Sequence, residues 1–191
     1  MAALHQSELI VGGVRSGKSR YALGRARRSP GPIIFLATAQ ALDAQMRARI
    51  ARHQAERPQS WITVEEPFDL VPACRRLHER YELALIDCLT LWVSNRLLRG
   101  DGDEAILSGA DELATFMAER ALSLILVSNE VGQGVHPPTR VGLRFGDLMG
   151  SVNQRVAAAA DRVTLMVAGI PLSIKDASPS GVPHERAVQA P

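Results

Sequence analysis

At residues 12–19 the chain carries the sequence Gly12-Gly13-Val14-Arg15-Ser16-Gly17-Lys18-Ser19, between the apolar run Leu9-Ile10-Val11 and a stretch with helical spacing. This string fits the phosphate-binding pattern G-x-x-x-x-G-K-[ST] at every position. Its glycines let consecutive backbone N–H groups point at phosphate oxygens, and the helix that follows offers the positive end of its dipole to the same anion. A purely structural glycine turn is the alternative, but the strand before the string and the helix after it favour a nucleoside triphosphate site. In such a site Lys18 reaches the β- and γ-phosphates, and the Ser19 hydroxyl can hold Mg²⁺.

An acidic residue, Asp87, ends the apolar run Leu83-Ala84-Leu85-Ile86. A carboxylate at the carboxyl end of a strand beside the phosphate-binding strand can bind Mg²⁺ directly or through water, as a Walker-B acid does. The alternative is a carboxylate that caps the next helix, since Asp is common at such a junction. Together with the phosphate-binding string, Asp87 is interpreted as a contact of the metal or the nucleotide.

Short apolar runs alternate along the chain with stretches of helical spacing, which predicts parallel strands joined by right-handed helical crossovers. The expected fold is therefore an α/β fold, with a mostly parallel central sheet and helices on both faces. We expect one domain over residues 1–191, with a core at about 8–175 and a mobile tail at 176–191. The predicted strands lie at 9–11, 33–37, 61–64, 83–86, 122–127 and 163–167, and the predicted helices at about 18–28, 42–56, 68–80, 89–98, 111–120 and from 140 to 160.

Composition excludes several classes of protein. Hydrophobic residues make up 46% and charged residues 22%, and the formal net charge is +2, so we expect a globular protein without a nucleic-acid partner. No stretch approaches the roughly 18 apolar residues of a membrane span, and Met1 to Glu8 does not resemble a signal peptide. Cys74 and Cys88 lack metal-ligand spacing and are interpreted as reduced thiols in a cytoplasmic protein.

Two further features leave alternatives open. His53 lies at helical spacing from Met46 and Ile50, so a half-buried structural histidine is the simpler interpretation, whereas a nucleophile towards a nucleotide α-phosphate is the functional one. The string Ser128-Asn129-Glu130-Val131-Gly132 follows an apolar strand, where Asn129 and Glu130 face the site or belong to an ordinary turn.

The chain from Glu8 onward resembles the bifunctional adenosylcobinamide kinase / adenosylcobinamide-phosphate guanylyltransferase family of cobalamin biosynthesis. The motifs that carry the resemblance, in the family's order and spacing, are Gly12 to Ser19, Ala37-Thr38-Ala39, Arg49-Ile50-Ala51-Arg52-His53-Gln54-Ala55-Glu56-Arg57-Pro58, Asp87-Cys88-Leu89-Thr90, Ser128 to Gly132, Asn153-Gln154-Arg155, Ala158-Ala159-Ala160-Asp161 and Gly169-Ile170-Pro171.

The resemblance implies two reactions. ATP or GTP phosphorylates adenosylcobinamide, and GTP then guanylylates His53, from which GMP passes to adenosylcobinamide phosphate. It also implies a RecA-like P-loop NTPase fold of three layers, Mg²⁺ held by Ser19 and Asp87, a catalytic role for Lys18, and a homotrimer with the corrinoid near subunit boundaries. The nucleotide-binding positions that it implies are Gly12, Gly13, Val14, Arg15, Ser16, Gly17, Lys18, Ser19, Ala37, Thr38, Ala39, Gln54, Ala55, Glu56, Arg57, Glu65 and Asp87.

Other P-loop functions make different demands on the sequence. A regulatory GTPase is expected to carry an Asn-Lys-x-Asp string, which does not occur here. A recombination-type DNA ATPase is expected to carry a basic DNA-contacting stretch, against which the near-neutral charge argues. A P-loop kinase of another small hydroxyl compound, without guanylyl transfer, is the main alternative, and it has no need of His53. A nucleotide-dependent assembly module is the non-enzymatic alternative.

Overall fold

The computed structural model describes residues 5–132, 134 and 137–176. Its strands are β1 (Ser7–Gly12), β2 (Ile33–Ala37), β3 (Ile62–Glu65), β4 (Leu83–Asp87), β5 (Ser123–Val127), β6 (Arg162–Val167) and β7 (Ile170–Asp176). Its helices are α1 (Lys18–Ala26), α2 (Ala44–Ala55), α3 (Leu70–Leu77), α4 (Leu89–Arg99), α5 (Asp103–Glu119) and α6 (Arg140–Ala159).

The seven strands form one sheet in the order β3-β2-β4-β5-β1-β6-β7. Every pair is parallel except β6 with β7, which is antiparallel. The expectation that the strand of Asp87 lies beside the phosphate-binding strand is wrong, because β5 lies between β4 and β1. Asp87 still approaches the phosphate-binding loop, because α1 crosses from the end of β1 over β5 and β4.

Both faces of the sheet are covered, which explains why its inner strands read as continuous apolar runs. On one face, α1 packs through Ala22, Leu23 and Ala26 against alternate residues of the central strands. On the other face, α3, α4, α5 and α6 pack against the remaining strand residues, with Trp92 and Phe116 among the largest fully buried side chains. This arrangement confirms the expected three-layer, mostly parallel α/β fold.

Strand β7 is the element that the sequence analysis missed. It follows β6 through a tight turn in which Ala168 and Gly169 have φ angles of 51° and 85°. Two consecutive positive φ angles are what a two-residue hairpin turn requires, because they match the twist of the two strands. Pro171 is tolerated in β7 because this strand lies at the edge of the sheet.

The helix boundaries differ from expectation mainly at α5, which begins at Asp103 rather than near Asp111. Of the expected tail at 176–191, Asp176 belongs to β7, and residues 177–191 lie outside the described residues. Within the described part of the chain, no helix is both long enough and apolar enough to cross a membrane.

Candidate active site

The phosphate-binding loop has the backbone shape that its glycines allow. Gly17, which precedes α1, has a φ angle of 94°, a conformation that side-chain-bearing residues rarely adopt. At Gly12 a Cβ atom would lie 2.5 Å from the carbonyl oxygen of Met166, so only glycine fits against β6. Local geometry therefore explains two of the glycines that were first read as features of phosphate binding.

Lys18 is buried and folds back over the loop that precedes it. Its Nζ atom donates hydrogen bonds to the carbonyl oxygens of Gly12 (2.8 Å) and Gly13 (2.6 Å). Burial lowers the pKa of Lys18, while Cys88 and Asp87 act in the opposite direction. The ammonium is therefore held at the mouth of the loop, within reach of an anion that binds there.

Asp87, which ends β4, is the carboxylate that the sequence predicts as a metal contact. Burial raises the pKa of Asp87, and His53, the nearby Ser19 hydroxyl, Arg57 and Arg49 act against that rise. Because His53 interacts electrostatically with Asp87, helix α2 brings its histidine to the same place as Ser19 and Asp87, the pair predicted to hold Mg²⁺.

These groups share a cavity of about 560 Å³, a volume that includes its open mouth. Helix α2 forms one wall, and the carboxyl ends of β2, β3 and β4 form the floor. Asp43 starts α2 by accepting a hydrogen bond from the N–H of Met46 at 2.6 Å. The residues that line the cavity are Ser19, Ala37, Ala39, Met46, Arg49, Ile50, His53, Gln54, Arg57, Glu65, Asp87, Cys88 and Leu91.

Arg57 crosses the end of the cavity with its guanidinium carbon 3.4 Å from the centroid of the Phe35 ring. Its Nη1 atom donates to the Thr63 hydroxyl at 3.2 Å. Burial lowers the pKa of Arg57, and Asp87 acts in the opposite direction. The Phe35 ring and the Thr63 hydroxyl thus fix the direction of the guanidinium in the cavity that His53 also lines.

Thr38 does not line the cavity, although it lies between two residues that do. It is fully buried, and its hydroxyl accepts the N–H of Cys88 (2.7 Å) and donates to the carbonyl oxygen of Cys88 (2.8 Å). Its own carbonyl oxygen accepts a hydrogen bond from Asn95 at 2.7 Å. In this structure the Thr38 side chain therefore fixes the chain just after Asp87 rather than facing the cavity.

The remaining predicted positions fall into two groups. The loop residues Gly12 to Lys18 lie beside the cavity, and Val14 among them is 83% exposed. Ala55 and Glu56 are exposed at the end of α2 and do not line the cavity. Sequence reasoning did not name Met46, Ile50, Cys88 or Leu91 as site residues. The helical spacing that places His53 beside Met46 and Ile50 was the available signal for two of them.

The string that follows β5 also reaches this region. The Glu130 N–H donates to the carbonyl oxygen of Gly12 at 3.1 Å, and the Asn129 N–H donates to the Thr90 hydroxyl at 2.8 Å. These contacts place the segment between the phosphate-binding loop and the start of α4, at the carboxyl edge of the sheet where α/β proteins bind ligands.

A family model described as cobinamide kinase / cobinamide phosphate guanyltransferase matches residues 8–174. The bifunctional adenosylcobalamin biosynthesis protein CobP of Pseudomonas aeruginosa is 44% identical over 169 residues, which cover 88% of this chain and 96% of that protein. The bifunctional adenosylcobalamin biosynthesis protein CobU of Escherichia coli is 37% identical over 179 residues, with coverages of 87% and 98%.

Solved structures resemble the chain at low sequence identity. One is a prototypical ATPase from the type III secretion system of pathogenic bacteria, with a TM-score of 0.57 and 15% identity over 88% of this chain and 56% of that one. Another is a KaiC-like protein of Pyrococcus horikoshii, with a TM-score of 0.50 and 17% identity over 84% of this chain and 70% of that one. These likenesses concern the fold alone, and they confirm the RecA-like P-loop class.

Proposed function

We propose that this chain, which belongs to the cobinamide kinase / cobinamide phosphate guanyltransferase family, phosphorylates adenosylcobinamide and then converts the product to adenosylcobinamide-GDP. The kinase step uses ATP or GTP, and the second step transfers GMP from GTP through a covalent bond to His53. The observation that carries the proposal is the meeting of His53 and Asp87 in one cavity, which Ser19 of the phosphate-binding loop also lines.

The triphosphate is proposed to lie along residues 12–19. Backbone N–H groups of the loop and the N-terminus of α1 attract the phosphate oxygens. Lys18 leaves the carbonyl oxygens of Gly12 and Gly13 and binds the phosphates, which carry full negative charge and are stronger acceptors. Burial of the ammonium makes this exchange favourable, because a buried cation gains most from an anionic partner.

The oxygen donors at Ser19 and Asp87 fit Mg²⁺. This ion takes one or two protein oxygens and completes its shell with substrate phosphates and water, and the two side chains line the same cavity. When bound, the ion supplies positive charge that neutralises the phosphates and the departing pyrophosphate. A cation at this place would also remove the penalty that burial imposes on the ionised Asp87.

Guanylyl transfer is proposed to proceed in two displacements at the α-phosphorus. A ring nitrogen of His53 forms a bond to this phosphorus, while the bond to the α,β-bridging oxygen breaks and pyrophosphate leaves with the electron pair. A phosphate oxygen of adenosylcobinamide phosphate then attacks the same phosphorus, and the nitrogen–phosphorus bond breaks to regenerate the imidazole. Splitting the transfer in this way replaces one difficult step by two easier ones.

Positive charge on the cavity wall supports these displacements. Arg49 and Arg57 lie on α2 and just beyond it, at the same cavity as His53. Guanidinium groups aimed at the place where charge develops stabilise the transition state without reorganisation at the moment of reaction. The apolar residues Met46 and Ile50, with Gln54 and Glu65 at the polar side, form a pocket suited to the guanine base.

Three broader properties belong to the same proposal. A single domain over residues 1–191, with its core at about 8–175, carries both reactions, in the cytoplasm. The chain assembles as a homotrimer, and the exposed apolar residues of edge strand β7, Ile170, Leu172 and Ile174, supply a contact surface between copies. Pairing of apolar edge surfaces between copies removes them from water and covers an open strand edge.

The proposal is tested with GTP labelled at the α-phosphate, Mg²⁺ and the purified protein. We expect label that stays on the protein, is released by acid but not by base, and disappears in His53→Ala. His78→Ala is the matched control, because His78 is the C-cap of α3, does not line the cavity, and its ring contacts only the carbonyl oxygen of Arg75 among the described side-chain hydrogen bonds. If no label is retained while γ-phosphate reaches adenosylcobinamide, the protein is a kinase alone, and the absence of both reactions refutes the proposed function.

A further inference from the structure

The parallel ladder between β1 and β5 continues beyond the last residue of β5. The Ser128 N–H donates to the carbonyl oxygen of Ile10 at 2.9 Å, and the Glu130 N–H donates to that of Gly12 at 3.1 Å. The Gly12 oxygen also accepts the Lys18 ammonium at 2.8 Å. The backbone of Glu130 therefore lies directly beside the phosphate-binding loop. The Glu130 N–H and the Lys18 ammonium both donate to the carbonyl oxygen of Gly12.

Side chains from α4 and α6 hold this segment in position. The Thr90 hydroxyl accepts the N–H of Asn129 at 2.8 Å, and the Asn153 amide donates to the carbonyl oxygen of Asn129 at 3.0 Å. The Oδ1 atom of Asn153 accepts the Ser128 hydroxyl at 2.6 Å. Three polar contacts from two helices exceed what a simple strand-to-loop turn needs, and they fix the position of Glu130 before any substrate binds.

The Glu130 carboxylate is available for chemistry. Its Oε1 atom accepts the N–H of Gly132 at 3.0 Å, and the residue is half-buried. Among the ion pairs formed by residues 5–132, 134 and 137–176, none involves Glu130. The carboxylate thus belongs to a segment whose backbone lies beside the phosphate-binding loop, and no ion pair of the described residues neutralises it.

Asp87 is occupied differently. It shares the cavity with Ser19, His53, Arg49 and Arg57, whereas Glu130 does not line that cavity. Asp87 ends β4 and Glu130 follows β5, so the two residues reach the carboxyl edge of the sheet from different strands. The proposed function assigns Asp87 to the metal and to guanylyl transfer, which leaves Glu130 for the kinase reaction.

We propose that Glu130 is the catalytic base of the kinase step. It accepts the proton of the acceptor hydroxyl while the hydroxyl oxygen forms a bond to the γ-phosphorus. The bond from this phosphorus to the β,γ-bridging oxygen breaks, the nucleoside diphosphate leaves with the electron pair, and Glu130 afterwards releases the proton to solvent. This assignment rests on the proposed function for the identity of the acceptor, and it separates the two reactions because guanylyl transfer from GTP to His53 does not need Glu130.

The test compares Glu130→Gln with the wild type in two assays on the full chain. Glutamine keeps an oxygen acceptor for the Gly132 N–H but cannot take a proton. We expect kcat for γ-phosphate transfer to adenosylcobinamide to fall about 100-fold or more, the usual contribution of a general base, while α-label on His53 forms at the wild-type rate. Slow hydrolysis of ATP by water should fall as well, which gives a readout that does not depend on the corrinoid.

Glu112→Gln is the matched control, because Glu112 is an exposed carboxylate on α5 far from the phosphate-binding loop. It should leave both reactions unchanged. Wild-type kinase and hydrolysis rates in Glu130→Gln would overturn the assignment. A parallel loss of guanylylation and kinase activity would also overturn it, since this result indicates a structural role. If the wild type itself transfers nothing to adenosylcobinamide, the proposed function fails, and the hydrolysis rates still decide the role of Glu130.

Discussion

At Asp87 the requirements of stability and of binding oppose each other. Burial raises the pKa of its carboxyl group even though His53, Ser19, Arg57 and Arg49 act to lower it. The folded protein therefore binds this proton more tightly than the unfolded chain does. As the pH rises from the unfolded value of about 3.9 through the higher folded value, the ionised carboxylate costs stability, and above the folded value the loss is complete.

We accordingly predict that Asp87→Asn is more stable than the wild type near neutral pH and loses this advantage in acid. In a protein of this size, a change of about 1 kcal/mol in the free energy of unfolding shifts Tm by about 2–4 °C. Calorimetry from about pH 5 to about pH 8 can therefore measure the Tm difference between the variant and the wild type. The same variant should lose Mg²⁺-dependent guanylylation. Equal Tm values for the two proteins across that range, or a wild type that gains on the variant as the pH rises, would contradict the prediction.

Local sequence predicts some residues of the candidate site and not others. The loop from Gly12 to Ser19 was recognisable because its chemistry is contained in one short string. The environment of Thr38 was not, since the partner of its hydroxyl is Cys88, which lies at the end of another strand. Its assignment as a direct nucleotide contact stays a prediction, and its observed contacts point to support of the chain after Asp87. Contacts between distant segments depend on strand order, which local spacing does not encode.

Among the elements, α2 carries His53 yet packs weakly. None of its residues is buried, and its inner face borders the cavity rather than the core. By contrast, α6 buries Leu148, Met149, Val152 and Val156. Helices that bury little apolar surface open at low free-energy cost, so the free protein should expose the amides of α2 more often than those of α6.

We predict that GTP slows hydrogen exchange selectively in α2. With His53→Ala and Mg²⁺, binding without covalent transfer at about 100 times Kd should stabilise the ordered helix by up to about 2.7 kcal/mol, or about a 100-fold slowing. Peptides from residues 44–55 report the effect by mass spectrometry, and peptides from residues 140–159 are the internal control. Strong protection of α2 already in the free protein would contradict the weak packing seen here.

The errors at element scale have physical causes. Strand β7 could have been predicted, because Ile170, Leu172 and Ile174 alternate with polar or edge-tolerant residues after the Ala168-Gly169 turn. The early start of α5 was hidden by Gly109, a poor helix former that packs beside Trp92 and Arg96 where a side chain has no room. Tertiary contact between helices overrides propensity at such a position.

At the scale of the whole molecule, alternation of strands and helices was enough to predict three layers but not the order of strands. Asp87 was expected on the neighbour of β1, and β5 instead separates the two strands. Ser19 and Asp87, the pair proposed to hold Mg²⁺, still meet because α1 begins at the loop and passes over β5 and β4, which carries Ser19 towards Asp87. The site thus depends on the path of one helix across the sheet.

The edge of that sheet leads to a prediction about assembly. Ile170, Leu172 and Ile174 of β7 are 69%, 58% and 59% exposed, and they lie on the edge strand of the sheet. We predict that Leu172→Lys converts the proposed trimer to monomers, because an ammonium buried without a partner at the centre of an apolar contact costs several kcal/mol. Light scattering after size-exclusion chromatography measures the change as a fall in mass from three chains to one.

Leu98→Lys is the matched control, since Leu98 on α4 is 75% exposed and lies away from β7. It should leave the trimer intact, because adding charge to an already solvated position costs little. If the family's placement of the corrinoid near subunit boundaries also holds for this chain, the monomeric Leu172→Lys protein should guanylylate His53 but transfer GMP poorly to adenosylcobinamide phosphate. If the Leu172→Lys protein remains a trimer, the contact between copies does not depend on β7. Normal GMP transfer by a monomer would show that the corrinoid binds within a single chain.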